Sequence, residues 1–274
     1  MTYWQAFILG IVQGITEFLP ISSSGHLVIT PFLLGWSIPE QYIFPFDVLV
    51  QMGTLVAVII YFWKYLMRIV IAVLKGLIEK KPFENQDAKL GWLIILSTIP
   101  AVLGGLFLKD QVEAAFQSVQ ITAVFLLITA LLLWIAEKFS NQVKNMENIS
   151  TLDAFIIGCF QILAIFPGLS RSGSTIAGGI LRKLKREEAA KFSFLMSIPV
   201  MLGAGVLSLN DLFNMPDLSQ FLPVLLVGFV TSGVVGFASI HWLLKFLNNH
   251  KLSVFSLYCV GISQLTLIIS FLKT

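Results

Sequence analysis

The sequence predicts an all-α integral membrane protein that crosses the bilayer several times. Of its 274 residues, 57% are hydrophobic and only 12% are charged, whereas a soluble domain carries about 25% charged residues. A helix needs roughly 20 apolar residues to cross a bilayer, and six runs are long enough. They lie near 46–65, 90–108, 119–136, 192–209, 222–244 and 254–272. We therefore expect six long transmembrane helices.

Four further apolar runs are too short to cross the bilayer, and they come in two pairs. The first pair is 4–19 with 27–36, and the second is 152–166 with 175–182. A polar segment rich in Gly, Pro and Ser separates the two members of each pair. Non-helical backbone at membrane depth is tolerated only where it is buried in protein or lines a wet cavity. Each pair therefore predicts a re-entrant helix–loop–helix hairpin.

The two polar segments are related by an internal repeat with an offset of 148 residues. Gln13 precedes Ser22 by nine residues, and Gln161 precedes Ser170 by nine. Three long runs follow each hairpin, and because three is odd the second hairpin enters from the opposite side. Such an inverted-topology repeat places its site near the midplane, where the repeats meet. We expect one membrane domain over 1–274, with repeat 1 at about 1–140 and repeat 2 at about 150–274.

Lysine and arginine predict the orientation of the chain. Of the 18 basic residues, 15 lie in the segments 64–89, 137–151, 182–191 and 245–251, which fall on one side of the bilayer. Cytoplasmic loops carry the excess of Lys and Arg in membrane proteins. We therefore expect these segments in the cytoplasm and both chain termini outside. The 64–89 segment itself is expected to be a loop, with 79–87 as a charged connector.

The first polar segment carries the groups that chemistry would need. Glu17 lies inside an apolar stretch, where an ionisable residue indicates function by default. It predicts either a general base, a ligand for a divalent cation, or a structural partner for Arg171. Gln13 lies one helical turn earlier on the same face and is a second, weaker metal ligand. His26 follows Ser-Gly at a helix start and is a candidate nucleophile, acid or base, with Ser23 as the alternative nucleophile.

Both polar segments end where an apolar helix begins, and helix N-termini attract phosphate because their N–H groups are free. Arg171 adds a fork of donors that matches phosphate geometry. Serines also cap helices when they occur alone, but two matched segments favour anion binding. The predicted phosphate-binding residues are Ser22, Ser24, Gly25, Ser170, Ser172, Gly173, Ser174 and Thr175. Asp47, with Gln51 one turn later, is a weaker site candidate that could instead lie at the interface.

The segments 13–26 (QGITEFLPISSSGH) and 167–175 (PGLSRSGST) resemble the two motifs of bacterial undecaprenyl-diphosphate phosphatases, the family linked to bacitracin resistance. The resemblance extends along nearly the whole chain. It implies hydrolysis of undecaprenyl diphosphate in the bacterial inner (plasma) membrane, which recycles the lipid carrier for peptidoglycan synthesis. It also implies a divalent cation, Mg²⁺ or Ca²⁺. One departure is Gln13, where many members have glutamate, and this substitution shifts the chemistry toward Glu17.

Two other functions fit parts of the pattern. Inverted repeats with broken helices also build transporters, so a carrier or flippase of a polyprenyl phosphate is the alternative. A lipid phosphatase of the acid-phosphatase type would need a downstream Ser-Arg followed by spaced His and Asp residues, which the sequence lacks. The expected partners are a polyprenyl diphosphate, membrane lipid and a second copy of the chain, without nucleic acid. Ser23, His26 and water all remain candidate nucleophiles.

Overall fold

A computed structural model describes residues 1–116, 118–213 and 218–273, and this part of the chain is helical without a β-strand. The helices, in chain order, are α1 (Tyr3–Thr16), α2 (Ser23–Leu34), α3 (Glu40–Tyr61), α4 (Trp63–Ile78), α5 (Gln86–Phe107), α6 (Lys109–Phe116), α7 (Val119–Lys138), α8 (Thr151–Leu163), α9 (Arg171–Leu181), α10 (Arg186–Phe213), α11 (Leu218–Leu247) and α12 (Ser253–Lys273). A 3₁₀ turn, Met146–Asn148, lies between α7 and α8.

The six predicted transmembrane helices are confirmed as α3, α5, α7, α10, α11 and α12. Each of them is long and apolar enough to cross a membrane. Many of their large apolar side chains point outward, including Phe107, Val206 and Phe271, as expected where lipid rather than water surrounds the helices. The chain is a multi-pass membrane protein.

The prediction that 64–89 is a loop is wrong over its first half, which α4 occupies, whereas residues 79–85 do connect α4 to α5. One face of α4 packs on α5: Ile69 is buried, and a side chain at Gly91 of α5 would meet Val73 at 2.6 Å. Arg68 Nε lies 2.9 Å from Asp87 Oδ2 at the start of α5. Apolar residues recur at helical spacing between the basic residues of this segment. The sequence analysis considered only the number of basic residues and so did not predict the helix.

The four short helices form two hairpins. Asp153 in the first turn of α8 lies 2.7 Å from Nε of Arg182, the residue that follows α9, so the second hairpin is closed at its base. In the first hairpin, Ala6 of α1 and Leu27 of α2 belong to one buried apolar cluster. That these hairpins enter the membrane without crossing it stays a prediction.

Each hairpin packs against a long helix from the opposite half of the chain. Gly10 of α1 faces α11, where an added Cβ would lie 2.9 Å from the carbonyl oxygen of Gly228. Gly158 of α8 faces α5, where an added Cβ would lie 2.5 Å from the carbonyl oxygen of Ser97. Small residues allow membrane helices this close approach. Gly10 and Gly158 are also separated by 148 residues, the offset of the internal repeat. The boundaries of the two repeats, about 1–140 and 150–274, stay a prediction.

The basic segments meet at one end of the helix bundle. Glu137 at the end of α7 pairs with Arg186 at the start of α10, and its Oε2 accepts from the Leu252 N–H at 3.1 Å. Gln86 Nε2 donates to the carbonyl of Glu147 at 3.4 Å. At the other end of the bundle, Lys273 Nζ donates to the carbonyl of Phe32. The side of the membrane on which the basic end lies stays a prediction.

The largest buried apolar cluster includes Phe18, the residue that follows Glu17 in the tip of the first hairpin. Phe18 is fully buried and meets the ring of Phe194 edge-on, with 5.3 Å between the ring centroids. An added Cβ at Gly236 of α11 would lie 3.0 Å from Phe18 Cε2. Phe18 is thus clamped between α10 and α11. This packing fixes the backbone next to Glu17.

Candidate active site

The two hairpin tips meet through an ion pair. Glu17 Oε1 lies 2.5 Å from Arg171 Nη2, and the two side chains are 4% and 14% exposed. Pairing with Arg171 is the structural alternative that the sequence left open for Glu17, beside the roles of general base and cation ligand. An unpaired charge at this depth would be expensive, and the pair compensates for most of that cost. The ion pair also brings a carboxylate into the centre of the predicted anion site.

The second oxygen of Glu17 accepts two hydrogen bonds. Ser23 Oγ donates to Glu17 Oε2 at 2.5 Å, and Gln13 Nε2 donates to it at 3.0 Å. Gln13 also reaches Thr54 Oγ1 of α3 at 3.4 Å. A hydroxyl hydrogen-bonded to a carboxylate is the arrangement that activates a serine nucleophile. The structure therefore assembles Ser23, Glu17 and Arg171 as one connected group.

Arg171 is held from its far side by α10. Its Nη1 donates to the carbonyl of Ser193 at 3.5 Å, and its Nη2 lies 3.8 Å from the sulfur of Met201. A guanidinium has five N–H donors, so these contacts leave donors free for a phosphate. Arg171 is also the first residue of α9, where the positive end of the helix dipole adds to its charge.

The N-termini of α2 and α9 carry the free N–H groups that the sequence predicts. Ser22 caps α2, with its Oγ accepting from Gly25 N at 3.3 Å. Ser170 caps α9 in the same way, with its Oγ accepting from Gly173 N at 3.0 Å. The first N–H groups of each helix have no carbonyl partner within the helix. Two sets of donors are thus available where the tips meet.

The tips interlock through their backbones. Ser172 Oγ of the second tip donates to the carbonyl of Leu19 in the first, at 2.9 Å. An added Cβ at Gly25 would lie 3.0 Å from the Cα of Gly168. Gly168 itself has φ +93°, and an added Cβ there would lie 2.3 Å from the carbonyl oxygen of Thr122. Only glycine fits this position of the second tip.

The structure separates the predicted phosphate-binding hydroxyls into two groups. Those of Ser22, Ser170, Ser172 and Thr175 already have partners inside the protein; Thr175 Oγ1, for example, lies 2.6 Å from Ser193 Oγ. Ser174 Oγ is buried without a hydrogen-bond partner among the described residues, and so is the side-chain amide of Gln161. Buried polar atoms are normally paired. Ser174 thus remains available to a polar ligand, and Ser24 Oγ has only a long contact of 3.4 Å with Ser22 Oγ.

His26 does not join the group around Glu17. Its Nδ1 lies 2.7 Å from the carbonyl oxygen of Ser22, and its Nε2 lies 2.8 Å from the hydroxyl of Tyr258 on α12. Ser22 has φ +71°, a region that favours glycine and costs other residues of order 1–3 kcal/mol. This backbone conformation turns the carbonyl of Ser22 toward the imidazole. His26 still lies one helical turn after Ser23, on the same face of α2.

The sequence analysis missed several residues that complete the site. Thr54 contacts Gln13, Ser193 contacts Arg171 and Thr175, and Tyr258 contacts His26. All three lie on long helices in apolar surroundings, without a motif to distinguish them. Asp47 and Gln51, predicted as weaker candidates, make no recorded hydrogen bond to Glu17, Ser23 or Arg171 within the described residues. From α3 it is Thr54 that reaches the site.

The donor set at the tips fits one kind of metal binding. Among the described residues, no three His, Cys, Asp or Glu side chains cluster as a metal site would require. Mg²⁺ is commonly held by one or two carboxylates together with substrate phosphates. Glu17 supplies one buried carboxylate, and Gln13, whose amide nitrogen faces that carboxylate, would supply its amide oxygen once the amide is turned over. The tips therefore fit a cation that binds together with a phosphorylated substrate.

Comparison with known proteins identifies the family. The sequence model of the family described as "Bacitracin resistance protein BacA" matches residues 6–265. The chain belongs to the BacA family. The BacA match spans both hairpin tips and Tyr258, so every residue of the site described above lies within it.

Relatives in this family match the chain almost end to end. A protein of Chlorobium chlorochromatii is 45% identical over 278 residues, which cover 98% of each chain. A protein of Pelodictyon phaeoclathratiforme is 43% identical over 266 residues, 94% of this chain and 93% of the relative. A protein of Methanosphaera stadtmanae is 40% identical over 275 residues, 97% of each chain. All three are named undecaprenyl-diphosphatase.

Proposed function

We propose that this chain hydrolyses undecaprenyl diphosphate to undecaprenyl phosphate and inorganic phosphate within the membrane. Its relatives in the BacA family carry the name of this activity. The observation that carries the proposal is the 2.5 Å hydrogen bond from Ser23 Oγ to Glu17 Oε2, placed between two helix N-termini. The reaction returns the lipid carrier to peptidoglycan synthesis, and it is the basis of bacitracin resistance.

Ser23 is the nucleophile in this mechanism. Its Oγ attacks the terminal phosphorus and passes its proton to Glu17 Oε2, while the bond from that phosphorus to the undecaprenyl phosphate oxygen breaks. Protonation neutralises Glu17, so the charge of Arg171 becomes available to the transferred phosphoryl group. The free N–H groups of α2 and α9 face the same charge, and preorganised donors of this kind commonly supply the largest part of catalysis. Water then attacks the same phosphorus, the bond to Ser23 Oγ breaks as Glu17 returns its proton to that oxygen, and inorganic phosphate leaves.

His26 serves proton transfer rather than attack. Both ring nitrogens already have oxygen partners, and neither partner is in the group around Glu17. Because His26 lies one turn after Ser23, a phosphate bound at the start of α2 lies within reach of its ring. A divalent cation, Mg²⁺ or Ca²⁺, would be held by Glu17 and Gln13 together with the diphosphate, and it would neutralise phosphate charge.

The finer architecture follows from the contacts and charges. We place the protein in the bacterial inner (plasma) membrane, with the basic end in the cytoplasm, both termini outside, and the two hairpins re-entrant. The pairings of α1 with α11 and of α8 with α5 support repeats at about 1–140 and 150–274. A homodimer is a further proposal from the sequence, because lipid already accounts for the outward-facing apolar surface.

The test is phosphate release from purified undecaprenyl diphosphate in detergent, with and without added Mg²⁺ or Ca²⁺. No transbilayer gradient exists in detergent, so a flippase of polyprenyl phosphate would release nothing. We expect release by the unmodified chain and a loss of at least about a hundredfold in Ser23→Ala. The matched control is Ser208→Ala, a serine on α10 outside the site. Release by Ser23→Ala at the unmodified rate would exclude Ser23 as the nucleophile.

A further inference from the structure

Tyr258 is the one group from α12 that reaches the first hairpin's histidine. Its hydroxyl lies 2.8 Å from His26 Nε2, across 232 residues of sequence. The two rings are nearly parallel, with 12° between their planes and 5.6 Å between their centroids. The tyrosine is 44% exposed, whereas His26 is 6% exposed. Tyr258 therefore connects a buried imidazole to the surface of the bundle.

The contacts of His26 define which nitrogen carries its proton. The carbonyl oxygen of Ser22 can only accept a hydrogen bond, so Nδ1 must carry a hydrogen and donate to it at 2.7 Å. In the neutral ring, Nε2 is then the acceptor, and the hydroxyl of Tyr258 donates to it. In the protonated ring, Nε2 donates and the same hydroxyl accepts. The hydrogen bond to Tyr258 is thus kept in both charge states.

The position of Tyr258 is itself fixed by its neighbours on α12. Ser256 Oγ donates to the carbonyl of Ala130 on α7 at 2.7 Å. Cys259 is fully buried, and its Sγ lies 4.0 Å from the carbonyl oxygen of Pro20 in the first tip. These contacts anchor α12 on both sides of Tyr258. The tyrosine is held against the tip by packing that does not depend on His26.

We propose that Tyr258 is a positioning residue for His26, which fixes the orientation of the imidazole ring while the carbonyl of Ser22 sets its tautomer. A hydrogen bond to one ring nitrogen fixes how the ring of a functional histidine is oriented. Tyr258 acts through His26 and does not touch the reacting phosphate. The proposal rests on the hydrolysis proposed above and adds to it a residue from a helix that carries neither motif.

The test compares Tyr258→Phe, His26→Gln and the double variant in the detergent phosphate-release assay. Tyr258→Phe keeps the ring stack and removes only the hydroxyl. We expect kcat to fall about tenfold with KM within a factor of two, and we expect the double variant to match His26→Gln alone. Activities are normalised to the folded protein in the size-exclusion peak, so partial misfolding does not affect the comparison.

Tyr61→Phe is the matched control, because the hydroxyl of Tyr61 also contacts a histidine, His241 Nδ1 at 3.3 Å, at the basic end of the bundle. Its kcat should equal that of the unmodified chain. The proposal is overturned if Tyr258→Phe leaves kcat unchanged, raises only KM, or lowers kcat by the same factor in the His26→Gln background. If the unmodified chain releases no phosphate, the proposed function fails first, whereas an active chain that is insensitive to Tyr258→Phe refutes only the role of Tyr258.

Discussion

Replacing Glu17 with glutamine should separate the two functions of its carboxylate, charge pairing and catalysis. The side chains of Glu17 and Arg171 are 4% and 14% exposed, and their charged atoms lie 2.5 Å apart. Removing one partner of such a buried pair costs about 3–5 kcal/mol, because the other charge is left uncompensated. For a chain of this length, that loss corresponds to a fall of the order of 5–10 °C in the unfolding temperature. Loss of the general base should lower turnover by about 10²–10⁴-fold.

A double variant distinguishes the two effects. Glu17→Gln with Arg171→Gln removes both charges, so most of the lost stability should return while turnover stays lost. Gln13→Ala is the milder control, because it removes one hydrogen bond to Glu17 and keeps the carboxylate. We expect Gln13→Ala to lower turnover by about tenfold.

The measurements are phosphate release per folded protein and thermal unfolding in detergent. Glu17→Gln releasing phosphate within tenfold of the unmodified chain would refute the role of Glu17 as base. A double variant no more stable than Glu17→Gln alone would show that the ion pair does not set the stability of the tips.

Two further predictions concern the second tip and the orientation of the chain. Gly168→Ala should lower the free energy of unfolding by about 2 kcal/mol or more, because φ is +93° and the new Cβ would lie 2.3 Å from the Thr122 carbonyl oxygen. Gly203→Ala, in a helix with nothing within 4 Å, should instead be neutral or slightly stabilising in the same thermal-unfolding experiment. In a chain whose two native cysteines are replaced by serine, an impermeant thiol reagent on intact cells should label Ser37→Cys but not Asn141→Cys. The reverse pattern would place the basic end outside.

Residue type and spacing were sufficient to predict the six long helices and the meeting of the two polar segments. The pairing of Glu17 with Arg171 was one of three roles that the sequence left open, and it agrees with the cost of an isolated charge in an apolar setting. The equal spacing of Gly10 and Gly158 within the 148-residue repeat was also readable in the sequence, and it marks the two contacts between hairpin and long helix. Two glycines at the repeat offset therefore indicate close helix contacts, although the sequence analysis used only the polar motifs.

Other features depend on three-dimensional packing and could not be predicted from the sequence. Four serines of the two tips look equivalent in sequence: Ser22, Ser170, Ser172 and Ser174. In the structure, the first three have hydrogen-bond partners inside the protein. The hydroxyl of Ser174 has none among the described residues. Tyr258 lies on an ordinary apolar helix, and only the approach of α12 to the first tip reveals its contact with His26. The helix α4 was missed for a different reason. Its basic residues are typical of a loop, whereas the helical period lies in the apolar residues between them.

The ion pair between the tips has a consequence for how the protein is made. Glu17 leaves the ribosome 154 residues before Arg171, which is the cation that pairs with it among the residues that the structure describes. Until Arg171 is synthesised, burying Glu17 in lipid would leave its charge uncompensated, which the bilayer strongly disfavours. We therefore expect the first tip to reach its final packing after Arg171 has been synthesised, or to wait for it with Glu17 protonated. Biogenesis of the N-terminal hairpin is thus completed late, by a residue from the second half of the chain.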